Sequence, residues 1–492
     1  MHFNLSHFLS ARRWTSTVIF HAVLLLCIVS LQPLAAQPKH EVRAVWLTTY
    51  GGIDWPRTYA QSEASAERQR EELRHTLDQL QRANINTVLF QTRIRGTVVY
   101  PSQIEPWDAA MTGHAGRSPG YDPLLFAIEE CHRRGMELHA WLVAIPMGKW
   151  DGAGCRNMRR THPQLLRRLG ADAALNPENS ATAGYIASLC EEITRRYDVD
   201  GIHLDYIRYP DTWNISVSRQ QGRQNITRIV SEVRRRVKAL KPWVKLTCSP
   251  IGKHDDMGRY SSGGWNAYQR VCQDAQGWLR DGLMDGLFPM MYFDGRHFYP
   301  FVADWSECSY GRPIAAGLGT YRLARSEGDW SLSTIERQMN VARQHGLGIC
   351  HFRSRFLTDD TKGVYQFTLL FNHQRALVPP MTWAGTEAPT PPTLLSVART
   401  PSGNTLTWSG ATDRSDGDYL TYNIYASPSL PVDTGDASLL AAQRVGAQTI
   451  SLQPSATLHY AVTAVSRYGL ESGGCQEQTS NQTNYVLPSW RK

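Results

Sequence analysis

What most constrains this chain is a repeated unit: a short β-rich apolar run, a loop and an amphipathic helical stretch recur from about residue 41 to residue 352. Alternation of this kind implies a parallel sheet with helices packed outside it. The apolar runs fall at residues 42–48, 87–93, 137–142, 201–206, 244–249, 286–292, 314–319 and 348–352. Between them lie helical stretches such as 67–82, 123–134, 183–196, 226–240 and 334–345, each charged on one side. Eight β/α units in series close naturally into a (β/α)8 TIM-type barrel of about 250 residues or more. A chain of 492 residues has room for that barrel and a further domain. A doubly wound open sheet is the alternative, but no GxGxxG turn follows the first run, where a dinucleotide-binding fold carries one.

The barrel is therefore assigned to residues 37–376 and a linker to 377–388, where the chain enters the stretch "VPPMTWAGTEAPTPPT", which has no helical or strand period. The segments "NTLTWSG", "LTYNIYASP", "QTISLQP" and "TLHYAVTAVSRYGLES" within residues 389–492 alternate apolar and polar side chains between turns. With Trp408, Tyr422 and Tyr460 as core aromatics they read as a small all-β sandwich, which resembles a fibronectin type III module. The Pro-rich linker predicts few contacts between the two parts. At the other end, Arg12 and Arg13 precede an apolar stretch at 18–31 and then Ala35 and Ala36. That order is a secretory signal peptide, residues 1–36, and it places the mature protein in the periplasm or cell envelope. A lipid anchor on Cys27 competes, but Leu26 stands where a lipoprotein signal carries a small residue. No later segment approaches the roughly 18 apolar residues of a membrane-spanning helix.

The net charge of +8 falls to 8 − 2 = +6 once Arg12 and Arg13 are removed. Without a Lys/Arg run or a basic helix, that excess does not indicate a nucleic-acid partner. Eight cysteines remain beyond Cys27, none in a CxxC pair, so buried thiols are expected and neither a structural metal nor a cofactor is called for.

In a closed barrel the side chains nearest the C-terminal strand ends line the mouth where such enzymes work. Gln91 and Arg93 end the second run, His139 and Trp141 the third, His203 and Asp205 the fourth, Tyr292 with Asp294 the sixth, and His351 with Arg353 the eighth. The segment "YDVDGIHLDYIRYP" delivers Asp205 at the end of an apolar strand, followed by Tyr206, Arg208 and Tyr209. Cleaving a glycoside needs one acid to protonate the leaving oxygen and one carboxylate to attack or to activate water. Asp205 is the candidate nucleophile or base. Glu105, Asp255, Asp256 and Asp294 all fall in loops above the mouth, and Asp294 leads as the partner, with Glu105 second. Rim aromatics such as Trp141, Tyr206, Tyr209 and Tyr292 suit sugar faces.

These segments resemble the glycosyl hydrolase-like 10 family of bacterial exported proteins. The likeness runs through "EVRAVWLTTYGGIDWP", "FQTRIRGTVVYPSQIEPW", "PGYDPLLFAIEECHRRGMELHAWL", "LNP" and "DVDGIHLDYIRYP", and covers about residues 41–370. It implies a TIM-type barrel and cleavage of an envelope polysaccharide or oligosaccharide, with peptidoglycan strands stripped of peptide as substrate. It also implies site roles for Arg93, Glu105, His139, Trp141, His203, Asp205 and Arg208. The chain departs from the family at Pro289–Phe293, where a Pro-Gln-x-Tyr-Trp pattern is common, and at Thr97, where an acidic residue is frequent. Two rival readings are a metal-dependent deacetylase using His203, Asp205, His254, Asp255 and Asp256, and a glycan-binding protein without turnover.

Overall fold

The computed structural model describes residues 37–260 and 263–477. The expected signal segment, residues 1–36 with Arg12, Arg13 and Cys27, lies outside them. The central strands are β1 (Arg43–Leu47), β2 (Thr87–Ile94), β3 (Glu137–Val143), β4 (Gly201–Asp205), β5 (Lys245–Ser249), β6 in two pieces (Gly286–Leu287 and Met290–Met291), β7 (Ala315–Leu318) and β8 (Gly348–Phe352). They pair in parallel in the order β5, β4, β3, β2, β1, β8, β7. The two pieces of β6 join the ends of that series, with Leu287 opposite Cys248 of β5 and Met291 opposite Leu318 of β7. The sheet thus curls on itself in the manner of a TIM-type barrel. Pro289, which has no N–H to give a ladder, falls in the gap that splits the single run expected for β6.

Alternation along the strands sets the two faces of the sheet. Val45, Leu47, Val88, Phe90, Ile202 and Leu204 pack outward against the helices, while Ala44, Trp46, Leu89, Trp141, Phe288 and Cys350 fill the interior. Helices α1 (Glu63–Arg82), α2 (Pro123–Arg133), α3 (Ala181–Arg196), α4 (Arg219–Leu240) and α5 (Leu332–Gln344) cover the outside. Their starts have local causes: Ser62 and Ser65 form a reciprocal capping box on α1, and Asp122 caps α2 with Pro123 in its first turn. Between β3 and α3 the chain adds an excursion that the repeat did not announce. Pro146–Lys149, Leu166–Leu169 and Asp172–Leu175 form a small antiparallel sheet beside a helix at Ala153–Thr161.

Seven further strands follow: β9 (Leu394–Thr400), β10 (Gly403–Ser409), β11 (Thr421–Ser427), β12 (Leu440–Val445), β13 (Thr449–Leu452), β14 (His459–Val465) and β15 (Cys475–Gln476). They form antiparallel sheets β9–β10–β13 and β12–β11–β14–β15, and Leu406, Trp408, Tyr422, Ile424, Tyr460 and Val462 from both sheets share one core.

The expectation of few contacts across the linker is corrected by buried polar pairing at the N-terminal ends of the barrel strands. Arg444 reaches Glu137 Oε1 at 3.2 Å and Asp200 Oδ1 at 2.5 Å, Arg467 pairs with Asp198 at 2.8 Å, and the Tyr419 hydroxyl donates to Asp198 at 2.6 Å. Trp383, in the linker itself, donates its indole N–H to Asp285 at 3.0 Å. At Gly135 a β-carbon would sit 2.6 Å from the Gln443 carbonyl oxygen, so glycine is what permits that approach. Burial alone would raise the Asp200 carboxyl, but Arg444, His132 and Arg467 hold it well below the usual carboxylate range. Six of the eight described cysteines are buried thiols, and Cys308 and Cys475 are half-buried.

Candidate active site

Asp205 ends β4 with its side chain turned into the barrel interior, 8% exposed. Ser249, its direct neighbour on β5, donates its hydroxyl to Oδ1 at 2.7 Å. Tyr206 adopts a left-handed backbone, φ +50°, and its N–H donates to the same oxygen at 2.8 Å. A left-handed tyrosine costs of order 1 kcal/mol, a strain typical of functional turns. Oδ2 accepts one bond, from the Trp141 indole at 3.2 Å, and keeps lone-pair capacity. Burial pushes the Asp205 carboxyl up from its ordinary value, against these donors and the charge of Arg208, which favour the ionised form. A fixed, dry carboxyl with one less-engaged oxygen suits a nucleophile or a base.

Below Asp205 the interior is polar. His203 shares a hydrogen bond with Thr247 at 3.0 Å and receives the Trp46 indole N–H at 3.4 Å, so both ring nitrogens are occupied. Burial, reinforced by His139, lowers its pKa well below the ordinary value. His139 lies deeper, between Thr247 at 3.4 Å and Glu137 at 3.3 Å. Both rings are fully enclosed supports beneath the mouth, although their spacing in sequence placed them on it. Gln91 likewise holds a loop: its Oε1 accepts from Thr48 Oγ1 and from the N–H groups of Thr49 and Tyr50.

Glu105 and Arg93 form a buried two-point pair, at 2.8 and 2.7 Å, with each side chain 1% exposed. Tyr185 adds a third bond to Glu105 at 2.9 Å, and Arg93 also donates to the carbonyls of Val143 and Ala144. Glu105 therefore points at its partners rather than at open space. Tyr209 packs outward in the strand–helix core, where Asn225 donates to its hydroxyl at 3.1 Å. Arg353 is held by Asp54, and His351 by Thr320 at 2.9 Å.

The rim retains Tyr206, Arg208, Tyr292 and Asp294. The Arg208 guanidinium stacks 4.1 Å from the Tyr206 ring centroid and 5.5 Å from that of Trp265, and donates to Asp211 at 2.7 Å. Tyr292 packs edge-on against Trp46 and Tyr321 and at a tilt against Phe352. Asp294 is exposed in the loop after β6, and its carboxylate makes no capping bond to the turn it precedes. Asp255 and Asp256, after β5, are tied to Asn266 and to Lys253. Among the described residues no group of three or more His, Cys, Asp or Glu side chains is arranged to hold a metal ion.

Sequence reasoning missed Ser249 and Trp265. Ser249 was recoverable, being the last residue of the strand that pairs with β4. Trp265, 46% exposed, sits in "YSSGGWNAY", where nothing but its size marks it.

The profile of a family described as Glycosyl hydrolase-like 10 matches residues 41–221 and 215–307. The chain is 30% identical over 409 residues to "Glycosyl hydrolase YngK" of Bacillus subtilis (strain 168), covering 75% of this chain and 79% of that protein. It is 31% identical over 343 residues to "Glycosyl hydrolase DigH" of Escherichia coli (strain K12), covering 60% and 78%. Among solved structures, the PgaB (BpsB) glycoside hydrolase domain from Bordetella bronchiseptica aligns at 13% identity and a TM-score of 0.46 over 67% of this chain and 98% of that one.

Proposed function

The chain belongs to the Glycosyl hydrolase-like 10 family and is a glycoside hydrolase, and on that premise we propose that it cleaves the glycan strands of bacterial peptidoglycan after their peptides have been removed. Asp205 is the nucleophile or base in this reading, and Asp294 is the acid that protonates the leaving oxygen. The observation that carries it is the Asp205 carboxyl, desolvated yet held by three aimed donors at the end of β4. An oxocarbenium-like transition state develops positive charge, which a preorganised carboxylate stabilises more than it stabilises the neutral sugar. Asp294 supports the assignment of acid by being exposed and, among the described residues, without the side-chain ties that hold Glu105, Asp255 and Asp256. The rim aromatics Tyr206, Tyr292 and Trp265 offer ring faces to sugar.

The protein acts outside the cytoplasm in this account, after loss of residues 1–36. Its C-terminal sandwich, with sheets of three and four strands, is a fibronectin type III-like module. The test is digestion of purified envelope glycan, with and without attached peptides, followed by identification of the new reducing ends. New ends from peptide-free strands, and fewer from peptide-bearing ones, are expected. Cleavage of neither, with turnover of an unrelated polysaccharide, overturns the substrate.

A further inference from the structure

The excursion between β3 and α3 carries charge that the rest of the molecule does not explain. Residues 146–175 hold Lys149, Arg156, Arg159, Arg160, Arg167 and Arg168 against Asp151 and Asp172, a net 6 − 2 = +4, half of the chain's +8. Lys149 pairs with Asp172 at 3.1 Å. Among the described residues the five arginines have no carboxylate partner: they meet backbone carbonyls of Asp151, Trp150 and Gly170, the Asn157 side chain, and indole rings. Arginines on α1 and α4 behave differently, since Arg70, Arg74, Arg235 and Arg236 each pair with glutamates. Five like charges on one short excursion, none paired with a carboxylate among the described residues, repel one another, and an anion would relieve that repulsion.

The excursion also lies against the mouth. The Ala144 N–H, just before it, donates to the Asp205 carbonyl at 2.8 Å. On one flank Gly148 lies against Arg95 in the turn after β2, where a β-carbon would be 2.8 Å from the arginine Cδ. On the other flank Arg167 stacks 4.3 Å over Trp213 in the loop after β4. The guanidinium groups of Arg159 and Arg168 both stack on the Trp150 ring, 4.4 and 5.2 Å from its centroid. Arg159 and Arg168 each give one N–H to a backbone carbonyl, and a guanidinium with five N–H donors keeps others for a carboxylate. The indoles hold these guanidinium groups in place, Trp213 itself being buried, and fixed guanidinium groups beside the mouth are what a glycan carboxylate requires.

We propose that this excursion is a subsite for the carboxylates of a glycan chain, making the enzyme selective for acidic strands threaded past Asp205. This deepens the glycan-cleaving reading and rests on it. The test compares the full chain with Arg160→Gln/Arg167→Gln/Arg168→Gln, and with Arg168→Glu should the triple variant fold poorly. Binding and release of reducing ends are measured on peptide-free peptidoglycan strands and on the same strands with their carboxyls amidated; binding alone is measured on phosphatidylglycerol vesicles. The variants are expected to bind native strands about tenfold more weakly, with the loss falling on KM rather than kcat. Amidation should weaken wild-type binding by a similar factor and close the gap to the variants. Wild-type-like binding by both variants, indifference of the wild type to amidation, or a loss confined to vesicles overturns the subsite. Arginine-dependent binding of native strands without new reducing ends leaves the subsite standing and removes the proposed substrate.

Discussion

Ser249 and Trp141 each aim a donor at Asp205, and both favour its ionised form against burial. Removing one should raise the carboxyl further. With Ser249→Ala, the acidic limb of the kcat/KM profile should move to higher pH and the rate should fall about tenfold, as for a lost hydrogen bond to a charged group of about 1.5 kcal/mol or more. A profile that does not move would mean that Asp205 is not the group titrating. Glu105 makes the opposite case. Glu105→Gln strands the buried Arg93, so about 3 kcal/mol or more of stability should go, read as a lower midpoint in denaturant. Turnover per folded molecule should survive; its loss at unchanged stability would restore Glu105 as a catalytic acid. The place of Asp205 at the inward-facing end of β4 was legible in the sequence, because the apolar run before it fixes the strand. His139 and His203 lie deeper than their strand positions suggested, and Glu105 and Tyr209, expected in loops at the mouth, are buried, because sequence position does not report which polar groups pair with each other beneath the rim.

All eight barrel runs were legible, since outward positions such as Val88, Phe90, Ile202 and Leu204 keep each strand apolar whatever its interior holds. Two features were not. Pro289 interrupts β6, and the excursion at 146–175 is built of four-residue strands too short for a period to emerge. The polar interior has a consequence for acid stability. His203 and His351 are fully buried, and burial lowers both rings from 6.5, His351 to about 4. Because the folded pKa lies below the unfolded one, their contribution to stability is complete above about 6.5 and is lost as pH falls toward 4. The slope approaches about 1.4 kcal/mol per pH unit for each ring. The melting temperature should therefore drop between these values, and His351→Gln should flatten part of the drop. A flat curve in the unaltered protein would contradict enclosed neutral histidines.

Across the whole molecule, the barrel and the C-terminal sandwich are joined by Arg444 and Arg467 beneath the strands, at the end opposite Asp205. The Pro-rich linker hid this, because local composition reports backbone character and says nothing of charges that meet from 244 residues apart, as Arg444 and Asp200 do. Arg444→Ala should leave Glu137 and Asp200 without a shared partner and cost about 3 kcal/mol, seen as a lower melting temperature of the full chain. An unchanged melting temperature would mean that the interface is incidental. The central claim is that one desolvated carboxylate at the barrel mouth performs glycoside cleavage, and rates of reducing-end release by the full chain and by Asp205→Asn test it most directly. Asparagine keeps the shape and removes the charge, so turnover of peptide-free glycan strands should fall by about three orders of magnitude or more. Strand binding and the melting temperature should stay close to those of the unaltered protein. Turnover within a few-fold of the unaltered enzyme, or a collapse of folding in place of a loss of rate, would contradict the account.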